Sequence, residues 1–274
     1  MARDLAGRVI AISGASSGIG AATALACAQA GMHVALFARR EDKLRGVAER
    51  ARSLGVRAHV VVGDAQSPDD NRRLLDEAQT ELGGLHAVFA NAGYGQEALT
   101  IDMPTEDVRR MFEVNFFGSL DLAREAIARF RAGGGGHALL CSSCLAKLGL
   151  PYYGCYSATK ACQDHCARAM RLELAGTGVH VSSVHPVGTR TEFFETAHSL
   201  SEGGLKIMDR RQRLGMQPPE RVARAVVSCL RRPRGEVWTS SPARFAFGAT
   251  VMLPGLTDWA LKRVMSKRRA RAGL

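Results

Sequence analysis

Tyr156 and Lys160 stand four residues apart in Tyr-Ser-Ala-Thr-Lys, at the start of a segment with helical periodicity. That spacing puts both side chains on one helical face. A phenol with a pKa of about 10 is a poor base near neutrality. A neighbouring ammonium favours the phenolate and lowers that value, as general acid–base chemistry requires. The expectation is a phenol made unusually acidic by Lys160. A Tyr–Lys pair alone is more often a half-buried ring beside a surface charge, so a third residue matters. Ser143 lies thirteen residues before Tyr156, at the end of an apolar run, where its hydroxyl can hydrogen-bond a carbonyl oxygen in the same pocket. Ser142 adjoins it, and the spacing to Tyr156 selects Ser143.

A second group of residues suits a phosphate. Ser13-Gly14-Ala15-Ser16-Ser17-Gly18-Ile19-Gly20 follows an apolar run and precedes an Ala-rich helical segment. Glycines allow close backbone approach to a pyrophosphate, and a helix N-terminus offers it unpaired N–H groups. The next apolar run ends Phe37-Ala38-Arg39-Arg40. An acid at that point suits the ribose hydroxyl of NAD, whereas arginine suits a 2′-phosphate. With Ala38 where the acid would stand, Arg39 and Arg40 favour NADP(H) over NAD(H). The competing reading is that both arginines are solvated residues opening the next helix.

The elements that must position these groups alternate regularly. Short apolar runs at 8–13, 32–38, 56–62, 85–91, 137–142, 179–185 and 236–239 are separated by helix-period segments at 18–30, 41–53, 69–82, 105–131, 155–175 and 219–231. Strands apolar on both faces and separated by helices predict a doubly wound α/β fold, a parallel seven-stranded sheet with helices on both faces. No repeat or long linker divides the 274 residues, so a single domain is expected. Ligands should sit beyond the carboxyl ends of the strands. Residues 192–216 have the length and Gly content of a substrate lid. Residues 240–274 form an apolar-basic C-terminal extension.

With these elements in place, the chain resembles the single-domain short-chain dehydrogenases/reductases over residues 5–240. Gly14, Gly18 and Gly20 match that family's cofactor loop, which also contains Ser16, Ser17 and Ile19 here. Asp64, followed by Ala65, matches the acid that contacts adenine, and Asn91-Ala92-Gly93 matches the family's Asn-Ala-Gly. Asn115 matches a helix Asn that positions a water, and Ser143, Tyr156 and Lys160 match the catalytic trio. Pro186 opens the loop after the sixth strand, with Gly188, Thr189 and Thr191 beside the expected cofactor. Two departures are Ser13 where Thr is common and Val187 where Gly is usual.

The resemblance implies a Rossmann-type fold and hydride transfer between nicotinamide C4 and a carbonyl or carbinol carbon. It implies that Tyr156 gives or takes the oxygen-bound proton, that Lys160 lowers its pKa and holds the ribose, and that Ser143 polarises the carbonyl. Asn115 would connect Lys160 to solvent through water. Relatives often associate through their catalytic helices, so a homodimer or homotetramer is expected. Leu145, Tyr153 and Phe193 are expected to join Ser143 and Tyr156 at the substrate. Tyr94, Leu148, Pro151, Tyr152, Phe194 and Leu205 would extend a largely apolar surface for a lipophilic ketone or alcohol.

Composition narrows the alternatives. The chain is 46% hydrophobic and 23% charged, ordinary globular usage. Its net charge of +11 leaves an acidic partner open. Six cations crowd the end, at Lys262, Arg263, Lys267, Arg268, Arg269 and Arg271. Without a recognition helix or aromatic–basic interleaving, they imply non-specific attraction and no specific nucleic-acid role. Apolar residues, Trp259 and trailing cations instead describe a helix that lies on anionic lipid, or one that covers the pocket or meets a second copy. Arg210, Arg211 and Arg213 read as solvated lid charges or as receivers of an acidic substrate tail. Glycines interrupt residues 1–20 before a secretory segment can form, so a cytoplasmic location is expected, with peripheral membrane contact as the open variant. The seven Cys, including Cys141 and Cys144, read as reduced thiols that pack. The eight His lack ligand spacing, no metal is expected, and His185 reads as a core residue. The rival functions are a non-catalytic dinucleotide-sensing protein on the same fold and a nucleotide-sugar epimerase or dehydratase. An intact trio argues against the first, and the short C-terminal portion against the second.

Overall fold

Along the first strand, Ile10 and Ile12 alternate with Val9 and Ala11, and each set enters a different core. This period of two is what a strand buried on both faces requires. In the computed structural model, which describes residues 2–200 and 215–272, seven such strands form one parallel sheet. They are β1 (Val9–Ser13), β2 (His33–Ala38), β3 (Ala58–Val62), β4 (Ala87–Ala90), β5 (Gly136–Cys141), β6 (Val179–His185) and β7 (Glu236–Trp238). Their order is β3-β2-β1-β4-β5-β6-β7. The expected Rossmann-type α/β sheet is therefore present, with strand ends displaced by one or two residues.

One core lies beneath α1 (Gly18–Gln29), α2 (Glu41–Arg52) and the later helix Pro219–Arg231. The other lies beneath α3 (Pro68–Leu82), α5 (Gly118–Ala132) and α6 (Gly154–Glu173). Between β1 and β4 the strand order reverses direction, which opens a crevice at the strands' carboxyl ends.

The segment 105–131, expected as one helix, is divided. It runs as α4 (Thr105–Phe112), a π-helical turn (Glu113–Phe117) and α5. The turn carries Asn115, fully buried, and delivers Gly118 against Ala65, where a Cβ would meet the Ala65 carbonyl oxygen at 2.1 Å. A wider turn inside a helix changes which face points inward, and such turns recur at functional sites.

After β6 come α7 (Phe193–Ser199) and α8 (Pro219–Arg231), flanking residues 201–214. The expected lid thus lies partly outside the described residues, as do Leu205, Arg210, Arg211 and Arg213. The C-terminal extension forms two helices, α9 (Ser241–Met252) and α10 (Pro254–Ala272), separated at Leu253 ahead of Pro254. Thr250 Oγ1 donates to the Lys147 carbonyl at 3.2 Å, and Phe247 packs near Trp238 with centroids 6.3 Å apart. No helix among the described residues is long and apolar enough to cross a membrane.

Candidate active site

A cleft of about 1030 Å³ opens along the carboxyl ends of the strands. Its glycine-rich wall follows from β1. Gly14 has φ +66°, and a Cβ there would approach Ala92 Cα to 2.9 Å. A Cβ on Gly20 would lie 2.2 Å from the Gly14 carbonyl oxygen. Gly20 therefore lets the loop close on itself and does not line the cleft, unlike Gly14, Ser16, Ser17, Gly18 and Ile19. Ser13 Oγ accepts from the Asn91 and Ala92 N–H groups at 3.0 and 3.1 Å, and Asn91 Nδ2 donates back to the Ser13 carbonyl at 3.1 Å. The hydroxyl shared with Thr thus splices β1 to β4. Ser17 precedes α1 without a side-chain capping bond, which leaves first-turn N–H groups for an anion. The bare loop and uncapped helix fit the pyrophosphate of a dinucleotide.

Arg39, Arg40, Asp64 and Ala65 border one end of the cleft, and Asn91, Ala92 and Gly93 also line it. Pro186, Gly188, Thr189 and Thr191 line the opposite rim. Gln217 staples that rim: its Nε2 donates to the Val187 carbonyl at 2.8 Å, and its backbone pairs with Gly188 and Arg190. Nothing in the spacing pointed to Gln217, since it lies 28 residues from Thr189.

Ser143, Tyr156 and Lys160 converge deep in the cleft. Ser143 precedes a 3-10 turn (Cys144–Lys147) and caps it, accepting from the Leu145 N–H at 3.1 Å. Tyr156 and Lys160 project from the first two turns of α6. Lys160 Nζ donates to the Cys141 carbonyl at 2.7 Å and to Gln163 Oε1 at 2.9 Å, and lies 5.7 Å from the Tyr156 ring centroid.

The phenol does not behave as expected from the spacing. Burial pushes the Tyr156 pKa above its ordinary value, against a lowering contribution from the Ser143 hydrogen bond. The physical reason is desolvation: Tyr156 is 9% exposed, with Phe193 packed 5.1 Å away and Tyr153 6.3 Å away. Burial acts on the amine too and lowers Lys160 to about 8.

Asn115 is brought to the same region, where its amide is held by Tyr94 and Thr159. Nδ2 donates to the Tyr94 carbonyl at 2.8 Å and Thr159 Oγ1 at 3.1 Å, and Oδ1 accepts from the Tyr94 N–H at 2.9 Å. Gly93 gives both groups room: a Cβ there would stand 2.9 Å from Asn115 Oδ1 and 3.3 Å from Lys160 Nζ.

Leu145, Tyr153 and Phe193 line the cleft with Tyr94, Pro151 and Phe194, whereas Leu148 and Tyr152 do not. Tyr153 is tied by its hydroxyl to buried Glu97. Tyr152 holds φ +69°, strained for a bulky residue, and its carbonyl accepts from the Ala98 N–H at 3.1 Å. Leu261, Val264 and Met265 of α10 also line the cleft.

Behind Ser143 sits His185, fully buried and stacked on Trp238 at 4.6 Å. Its Nδ1 donates to the Ser143 carbonyl at 3.1 Å. Asp164, His185 and Glu236 bring ligand-type atoms within 4.8 Å of one another. Lys147 Nζ lies among them, 2.5 Å from Asp164 and 3.3 Å from Glu236, and supplies the positive charge there. Burial opposes ionisation of Asp164, but the contacts with His185, 3.3 Å away, and with the Lys147 ammonium win and hold it well below the usual carboxylate range. Cys141 and Cys144 are both pushed up to about 11, chiefly by burial, as inert packing thiols would be.

A family model described as short chain dehydrogenase matches residues 8–201. The chain belongs to that family. This short-chain dehydrogenase is 33% identical over 236 residues to glycine betaine reductase ATRR of Emericella nidulans, covering 84% of the chain and only 18% of that much longer relative. It is 32% identical over 268 residues to 11-beta-hydroxysteroid dehydrogenase 1A of Arabidopsis thaliana, covering 94% of the chain and 76% of the relative. Among solved structures it is similar to L-sorbose reductase from Gluconobacter frateurii, complexed with NADPH and L-sorbose, with 26% identity and a TM-score of 0.74 over 84% and 92% of the two chains. As a short-chain dehydrogenase it is an oxidoreductase of alcohols and ketones that uses a nicotinamide cofactor.

Proposed function

We propose that the protein is an NADP(H)-dependent reductase converting a lipophilic ketone to a secondary alcohol, with Tyr156 as the acid. The observation that carries this reading is the convergence of Ser143, Tyr156 and Lys160 in an apolar-walled cleft continuous with the glycine loop and Arg40. A sensor would not need the trio gathered there.

The glycine loop and the N-terminus of α1 would hold the pyrophosphate, Arg39 and Arg40 the 2′-phosphate, Asp64 and Ala65 the adenine side, and Thr189 and Thr191 the nicotinamide side. When bound, the nicotinamide supplies or accepts the hydride. Ser143 holds the carbonyl oxygen beside the phenol. Tyr156, kept protonated by burial, donates its proton to that oxygen as negative charge develops. Lys160 stabilises the resulting phenolate, and Asn115 fixes the Tyr94 loop against α6. Burial that disfavours phenolate suits reduction, whose acid must start protonated.

The C-terminal helices support a peripheral-membrane setting for this chemistry. Phe245, Met252, Leu256 and Trp259 are all more than half exposed, and the terminal cations follow them. The opposite side of α10 lines the cleft, so lipid contact would place the pocket mouth near dissolved lipophilic ketones. A cytoplasmic homo-oligomer formed through the catalytic helices completes the reading. Its test is NADPH and NADH oxidation measured against ketones and aldehydes of graded hydrophobicity. The expected result is NADPH-preferring turnover that improves with apolar bulk; no turnover with any carbonyl would defeat it.

A further inference from the structure

Three side chains from two distant segments meet at one carboxylate. Glu192 Oε2 accepts from Arg40 Nη1 at 2.7 Å, and Oε1 accepts from Lys43 Nζ at 2.6 Å. The Ser17 hydroxyl also hydrogen-bonds Glu192. Arg40 reaches this position braced against the glycine loop, donating to Ser16 Oγ at 3.0 Å and Ser17 Oγ at 2.8 Å. A guanidinium, an ammonium and a hydroxyl around one anion are the donor set that binds a phosphate. Here the protein fills it with its own acid.

The neighbouring residue gives that contact a consequence. Glu192 directly precedes α7, whose first residue, Phe193, lies against Tyr156 with ring centroids 5.1 Å apart. The Phe193 N–H donates to Thr191 Oγ1 at 3.3 Å, and the ring occupies space that a Cβ on Gly95 would enter at 2.5 Å. Pinning Glu192 therefore holds Phe193 over the phenol.

We propose that Glu192 is an internal stand-in for the cofactor's 2′-phosphate, so that the phosphate competes with it for Arg40 and Lys43 and, on displacing it, releases Phe193 from Tyr156. The inference rests on the NADP reading and deepens it. Two anions cannot share these cations without strong repulsion, so occupancy is exclusive. Lys43 becomes a ligand of the 2′-phosphate, and Glu192 sets how strongly NADP(H) is preferred. The cofactor binds before the carbonyl substrate, because only its phosphate uncovers the phenol. Hydrogen bonds from Lys43 and Arg40 hold the Glu192 carboxyl down to about 2, so the latch stays charged across neutral pH and responds to phosphate alone.

The test is calorimetric titration of 2′,5′-ADP and 5′-ADP into the wild-type protein and Glu192→Gln at low ionic strength, where half-exposed charges are least screened. Glu192 is a surface residue, so the variant should fold normally. The expected result is binding of 2′,5′-ADP about tenfold tighter in Glu192→Gln, with 5′-ADP unchanged within about twofold. Equal affinity of both proteins for 2′,5′-ADP, with a preference for it over 5′-ADP retained, overturns the latch and leaves the NADP reading standing. Indifference of both proteins to the 2′-phosphate overturns the NADP reading as well. Hydrogen exchange supplies the second readout. Amides 193–199 should exchange faster in wild type with 2′,5′-ADP, and in Glu192→Gln without it; unchanged exchange in the variant overturns the release of Phe193.

Discussion

Lys160 Nζ donates to Gln163 Oε1 at 2.9 Å, entirely inside the protein. One turn further along α6, Gln163 offers the ammonium a neutral acceptor where a carboxylate would have neutralised its charge. Gln163 was legible in principle, as a polar side chain on the buried face of a helix three residues from Lys160. Replacing it with Leu should leave Lys160 with the Cys141 carbonyl and move the alkaline limb of the reductive pH–rate profile, expected near 8 in the wild type from the lowered Lys160 pKa, to lower pH. Steady-state rates between pH 6 and 9 measure the shift, and an unmoved limb would remove Gln163 from the role.

The buried amine also bears on stability. Its pKa falls from 10.5 to about 8 on folding, so between those values the unfolded chain binds the proton more tightly. Stability therefore rises as pH increases from about 8 to 10.5, and below 8 the buried charge is a full liability. Lys160→Met should raise the Tm by several degrees at pH 7 while abolishing turnover. A lower Tm in thermal melts would show that the hydrogen bonds outweigh desolvation.

Tyr156→Phe removes the proton donor and should lower kcat at least about 100-fold, the usual scale of acid–base contributions. The raised pKa gives the two directions opposite pH responses. Reduction uses the phenol and should be flat from pH 6 to about 7.5; oxidation needs the phenolate and should climb with pH across that range. Equal profiles in the two directions would contradict the assignment.

Arg40→Ala should raise the KM for NADPH by about tenfold or more and leave that for NADH nearly unchanged, since a charged hydrogen bond to phosphate contributes about 1.5–3 kcal/mol. Parallel losses with both cofactors would assign Arg40 to the pyrophosphate instead.

Asp164 is held ionised by His185, Lys147 and Ser183 behind the Ser143 turn. Because its folded pKa is depressed, its contribution is present above the ordinary value of 3.8 and lost as pH falls through the lower folded value. Asp164→Asn should cost about 3 kcal/mol at pH 7, as breaking a buried ion pair does. Urea unfolding of the two proteins at pH 7 measures it, and a difference below about 0.5 kcal/mol would reduce the pair to a surface-like contact.

What could be read from the chain alone was whatever repeats or recurs locally. Alternation in Val9–Ser13, the glycines after it, and the spacing of Ser143, Tyr156 and Lys160 are patterns over a few residues, and each led to the correct element. The π-helical turn at Glu113–Phe117 escaped because helical periodicity does not register one widened turn. Only the tertiary structure could decide how Tyr156 titrates. Spacing reports that an amine is near, but the sign of the shift depends on how much water Phe193, Tyr153 and the sheet exclude. The same holds for Arg40 and Glu192, which lie 152 residues apart and meet because β2 and β6 end on the same side of one sheet. Charge–charge contact falls off with distance in space, and distance along the chain carries no information about it.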